Sequence, residues 1–135
     1  MNFENTAVQT DIEIDWHLLV ERIGDESLVD EIIPIFIRDN EERVHLLAEA
    51  IRKNDSSEIK FYAHSIKGAC GIIGAAKLFE LCKQLENAAR LLETEKYAPL
   101  FAQIKQRFEN LMSFLHRSDW KQLAKQSLQT QTPQQ

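Results

Sequence analysis

The sequence predicts an all-α protein, an antiparallel up-down four-helix bundle with a short additional N-terminal helix. Three observations predict it. Apolar residues recur at spacings of three and four rather than alternating. Turn formers are scarce, with four glycines and three prolines in 135 residues. Four long amphipathic segments follow one another across short polar breaks, and short breaks make consecutive helices antiparallel neighbours. A chain of this length supports one packed core.

The short first helix starts after Asp15, a capping residue for "WHLLVERI", and ends at Gly24, which suits the left-handed position after a helix. The first long helix opens at Asp25 or Glu26 and runs through "SLVDEIIPIFIRDNEERVHLLAEAIRKN". Pro34 removes one backbone donor there and is expected to bend the helix near Asp30. The break "NDSSE" carries a capping-box pattern, with Asp55 or Ser56 ahead of acids in the first turn of the next helix. That helix ends or kinks at Gly74. The following one spans Ala75 to about Leu92, with Leu78, Leu81, Cys82, Leu85, Ala89 and Leu92 as its apolar stripe. "ETEKYAP" is the next turn. The last helix carries Leu100, Phe101, Ile104, Phe108, Leu111, Met112 and Leu115, and its spacing continues through Trp120 and Leu123. The expected organisation is a flexible segment over residues 1–13, the bundle over 14–117, and a helix extension with a polar disordered tail over 118–135, the tail being "QSLQTQTPQQ".

Composition narrows the function. A net charge of −5 with no basic run argues against nucleic acid as a partner. The longest apolar run, "IIPIFI", cannot span a bilayer, and the N-terminus lacks the charged and apolar regions of a signal peptide. Cys70 and Cys82 both fall on apolar stripes and read as reduced core fillers. A cytoplasmic monomer, with neither membrane nor nucleic acid among its partners, is the expectation. Met1 with short polar flanks favours a freestanding protein.

The informative stretch is "AHSIKGACGIIGAAKLFELCKQLENAAR", Ala63 to Arg90. Interior glycine costs a helix roughly 0.5–1 kcal/mol against alanine, so Gly68 and Gly71 call for a reason. At about 100° per residue, with His64 at zero, Ile59, Tyr62, Ala63, Ile66, Ala69, Cys70 and Ile73 fall between roughly 140° and 260°, the core face. His64 then points to solvent, with Lys67 near 300°, Gly68 near 40° and Gly71 near 340°, all about. Two glycines beside an exposed histidine read as backbone cleared for a visitor. A histidine at its ordinary pKa of about 6.5 is mostly neutral near pH 7 and nucleophilic, so it can accept a phosphoryl group on a ring nitrogen. Lys67 favours the neutral ring and attracts phosphoryl oxygens, and Gly68 leaves room for the protein that delivers the group. The competing readings are a plain surface histidine, a solvated lysine and helix imperfections at the glycines.

His64, Lys67, Gly68, Gly74, Leu78, Cys82, Leu85, Glu86 and Arg90, spaced as they are, resemble the signature of histidine-containing phosphotransfer (HPt) domains. The helix order extends the resemblance over roughly Asp15 to Leu115. It implies a four-helix bundle that shuttles phosphate between receiver domains of a hybrid histidine kinase or response regulator, without an ATP site of its own; the chain shows no Gly-rich nucleotide motif. It implies further that His64 is the phosphoacceptor, Lys67 the stabilising cation and Gly68 the clearance residue. Glu86 stands where the family often has a glutamine supporting the phosphohistidine. An acid cannot do that as an amide can, and Lys67, Lys83 and Arg90 are its available counter-ions.

The receiver is expected over the His64 face. Phe61, near 60° on the same rough scale, is the docking candidate on this helix. Phe79, Lys83, Glu86 and Arg90 form a second stripe on the next helix, the other side of the same footprint, and Gly71 belongs to it beside His64. Phe61 and Phe79 lying partly under helix ends is the alternative. The remaining histidines, His17, His45 and His116, lack glycine neighbours and read as ordinary. Glu42 and His45 make one Glu-x-x-His pair where a di-iron bundle needs two, so no metal or other cofactor is expected. The alternative function is a non-phosphorylated helical docking or inhibitor protein that binds a receiver or kinase.

Overall fold

The computed structural model describes residues 14–131, with side chains to Ser127; the expected flexible segment 1–13 and residues 132–135 lie outside the described residues. Among the described residues six α-helices follow in order: α1 (Trp16–Ile23), α2 (Val29–Lys53), α3 (Ser56–Ile73), α4 (Ala76–Arg90), α5 (Tyr97–Leu115) and α6 (Trp120–Gln131). The long helices close a ring in which α3 packs on α2 and α4, and α5 packs on α4 and α2. This is the expected four-helix bundle, with α1 laid against α3.

Local chemistry sets the boundaries. Asp15 accepts a hydrogen bond from the Leu18 amide and starts α1, and Gly24, at φ +97°, ends it. Asp25 does not open α2 directly. It caps a 3-10 turn, Glu26–Leu28, that leads into the helix at Val29. Pro34 lies inside α2 without interrupting it. Asp55 accepts from the Glu58 amide and starts α3. Gly74, at φ +76°, ends α3, and a Cβ there would lie 2.9 Å from the Asp15 carbonyl oxygen. The Asp15 amide donates to the Gly74 carbonyl at 3.0 Å. Gly74 is therefore both a helix end and the point where α1 is fastened to α3.

Other boundaries differ from the sequence reading as well: α4 ends at Arg90, so Leu92, expected on its apolar stripe, lies outside the helix and is 67% exposed. Tyr97 to Pro99 belong to α5, not to the turn before it. A proline in the first turn sacrifices no helical hydrogen bond, and the buried Tyr97 hydroxyl is held by Ser56 Oγ at 2.7 Å. The C-terminal end departs further. α5 does not continue through Trp120; it stops at Leu115, the Arg117 guanidinium pairs with Asp119, and the chain turns into α6. The expected polar tail is helical as far as Gln131. α6 packs back on α1: Trp120 meets the rings of Trp16 and Phe114 edge-on at 6.1 and 6.2 Å. Lys121 reaches Asp30 and Lys125 reaches Glu26, both at 2.8 Å, with Lys125 also over the Trp16 ring.

The core lies within the ring. Leu47, Ile59, Ile66, Ile73, Leu78, Leu85, Ile104 and Leu111 are fully buried, at roughly 1.5–3 kcal/mol each. Burying the predicted face of α3 turns its opposite face, which carries His64, outward. Cys70 and Cys82 are buried and reduced, as their spacing suggests.

Candidate functional site

His64 sits midway along α3 with 66% of its side chain exposed, opposite the buried row Ile59, Ala63, Ile66 and Cys70. Its Nδ1 lies 2.9 Å from Glu86 Oε2 on α4. The other oxygen of Glu86, Oε1, lies 2.8 Å from Lys67 Nζ, one turn along α3 from the histidine. The Glu86 side chain is only 22% exposed. Its Oε1 is shut off from solvent, and the Lys67 ammonium, approaching off the ideal hydrogen-bond direction, is its counter-ion. Burial pushes the Glu86 carboxyl up, but its hydrogen bonds and charge interactions with Lys67 and His64 outweigh that and hold it below the ordinary carboxylate range. It is thus an anion near neutral pH.

A carboxylate can only accept, so Nδ1 carries the proton and donates it to Glu86. In the neutral ring the lone pair is then on Nε2. A nucleophilic nitrogen is left on an exposed imidazole whose orientation is fixed from behind. Lys67 is held by Glu86 and stands 5.9 Å from the centre of the Phe79 ring. Beneath them Cys82 has its thiol pushed up to about 12, chiefly by burial, and takes no part as a nucleophile.

Gly68 has nothing within 4 Å of where a Cβ would be, so the surface beside His64 is open on that side. Gly71 is not open in the same way. A Cβ there would touch the Phe79 ring at 3.5 Å, and the Arg22 guanidinium donates to the Gly71 carbonyl. Rotation about the helix axis gives azimuth alone, and at the height of Gly71 α1 and Phe79 already cover the backbone. Gly71 is a packing position, where the sequence suggested bare backbone for a visitor.

The expected stripe on α4 divides in the same manner. Phe79 and Glu86 turn toward Lys67 and are largely covered, whereas Lys83 and Arg90 face solvent, Arg90 bonding Asn87 Oδ1 at 2.8 Å. Glu86 pairs with Lys67, not with Lys83 or Arg90. Phe61, 62% exposed, stands out from α3 with its ring against Tyr62. Ile72 is 51% exposed. It belongs to no motif, although rotation puts it near roughly 80°, on the side of Phe61 and Gly68. Arg22 was also missed, and no local signal marks it, because its contact spans the chain from α1 to the end of α3. Beyond Gly71 a groove of about 340 Å³ opens between Leu18, Arg22, Phe79 and Glu80.

Among the described residues no helix is long and apolar enough to cross a membrane, and no three His, Cys, Asp or Glu side chains gather as metal ligands. The family model described as Hpt domain matches residues 31–114, well over half of the chain. Among solved structures the chain is similar to histidine-containing phosphotransfer protein B from Pseudomonas aeruginosa. The two are 28% identical with a TM-score of 0.69, over 87% of this chain and 96% of that one. Against curated protein sequences no significant match was found. The bundle, its helix order and the family match converge, and the chain belongs to the Hpt domain family, whose members are phosphocarrier modules of two-component signalling rather than kinases.

Proposed function

We propose that this protein is a phosphorelay intermediate in which His64 Nε2 takes a phosphoryl group from a receiver-domain aspartyl phosphate and passes it to the aspartate of another receiver. The observation that supports this reading is the Glu86 carboxylate 2.9 Å from His64 Nδ1, which leaves the lone pair of the exposed neutral ring on Nε2. In the forward step the Nε2 lone pair attacks phosphorus, the P–O bond to the donor aspartate breaks, and the aspartate leaves as a carboxylate. The return step reverses this on the second receiver. Phosphoryl transfer needs mainly positioning and charge stabilisation. Lys67 supplies the cation, released in part from Glu86 toward the phosphoryl oxygens, and Gly68 supplies the clearance.

The receiver docks over α3, with Phe61, Gly68 and Ile72 as an apolar strip beside His64 and the exposed Lys83 and Arg90 at the edge of the footprint on α4. The reaction carries no nucleotide step in this chain, and its setting is the cytoplasm, where receiver domains act. The test is a chase: a labelled receiver charges the full chain, and a second receiver is then added. Label that moves through the chain and is lost to acid but not to base supports the reading. A chain that binds the receiver and never takes label is a docking protein instead.

A further inference from the structure

Both oxygens of Glu86 are committed, Oε2 to the His64 Nδ1 proton and Oε1 to the Lys67 ammonium. An amide in this place could not serve both. With its oxygen toward Nδ1–H it would set its NH2 against the ammonium; turned over, it would donate to Nδ1 and move the ring proton to Nε2. Only a carboxylate satisfies the two neighbours at once, and it does so as a largely covered anion. The consequence reaches beyond the attacking step. When Nε2 forms its bond to phosphorus the ring keeps the Nδ1 proton and becomes a phosphoimidazolium, a positive ring bearing a dianionic phosphoryl group. A carboxylate 2.9 Å from Nδ1 stabilises that positive ring, whereas a neutral partner lets the proton go to water as pH rises.

The protonated form is the reactive one. When its N–P bond breaks, the bonding electrons return to Nε2 and the leaving group is a neutral imidazole; from the deprotonated form it would be an imidazolate. We infer that Glu86 is a positioning residue that holds the Nδ1 proton throughout the cycle and so keeps phosphorylated His64 in its labile, quickly discharged form near neutral pH. The inference rests on His64 being the phosphoacceptor. The groups that face Glu86 are His64 and Lys67 from α3, with Cys82 one turn back on its own helix, where burial keeps the thiol neutral.

The test loads the full-length protein with phosphoramidate, a small donor that needs no receiver, and follows phosphohistidine by 31P NMR from pH 6 to pH 9. For Glu86→Gln the fall of the decay rate with rising pH is expected about one unit lower than in the native protein. At pH 8 its phosphohistidine should survive about tenfold longer, the equivalent of that one unit. Nitrogen-15 NMR of the native phosphoprotein adds a reading that needs no variant: Nδ1 stays protonated at a pH where phosphohistidine in a short peptide has lost that proton. Identical decay profiles, or an Nδ1 that titrates as in the peptide, overturn the inference. Absence of any label on native His64 overturns the phosphoacceptor reading itself.

Discussion

The outer face of α3 and the end of the bundle where α1 meets α6 are built on opposite principles. At the outer face an exposed imidazole and a lysine from α3 each stand within hydrogen-bond reach of a largely covered carboxylate from α4, and beside them Gly68 leaves the surface bare. At the α1–α6 end, polar groups serve attachment. Asp15 caps a helix and ties to Gly74, two tryptophans pack edge-on, and Lys121 and Lys125 reach acids near the start of α2. The first region gives up packing and helix propensity for access; the second uses close contact for stability. The contrast teaches that a glycine in this molecule is interpreted by its neighbours, since Gly68 is empty-sided and Gly74 is pressed against Asp15.

Substitutions at the two ends of that contrast should have effects of different kind. The largest loss of stability is expected from Trp120→Ala, which removes ring contacts to Trp16 and Phe114 and should cost about 3 kcal/mol in denaturant unfolding. Phosphorylation of His64 by phosphoramidate should survive in that variant under native conditions. Gly74→Ala forces a side chain into a left-handed position and against the Asp15 backbone, at about 2 kcal/mol. Gly68→Gln should go the other way. Thermal stability should hold or rise by up to about 1 kcal/mol, because glutamine is the better helix former and the space is empty. Transfer from a receiver should nonetheless fall by about tenfold or more, equal to at least ~1.4 kcal/mol of lost interaction. A Gly68→Gln protein that accepts phosphate from a receiver at the native rate would break the comparison. The smallest effect is expected from Lys121→Met, within about 1 kcal/mol and vanishing in high salt, since the Asp30 pair is solvent-exposed.

The same contrast separates what the sequence made legible from what it did not. The caps at Asp15 and Asp55, the end at Gly74 and the outward turn of His64 follow from local spacing and are as expected. α6 was not legible as a separate helix, because Trp120 and Leu123 continue the apolar register of α5 and no glycine or proline marks the break. The turn rests on Arg117, Ser118 and Asp119, and the return of α6 on contacts to residues about a hundred positions earlier. Glu86 was found as an oddity of residue type, but its place between His64 and Lys67 depends on how α4 lies against α3. The surroundings of Gly71 were not legible for a related reason, since its neighbours Arg22 and Phe79 come from other helices.

The central claim is that Nε2 of His64 is the phosphoacceptor, and the most direct measurement locates the phosphoryl group. Full-length protein charged by a phosphorylated receiver is examined by mass spectrometry for the residue and by proton–nitrogen NMR for the ring nitrogen. The account predicts one phosphoryl group, on Nε2 of His64, and none on the His64→Gln protein. Label on His17, His45 or His116, label on Nδ1 of His64, or undiminished label in the His64→Gln protein would contradict it.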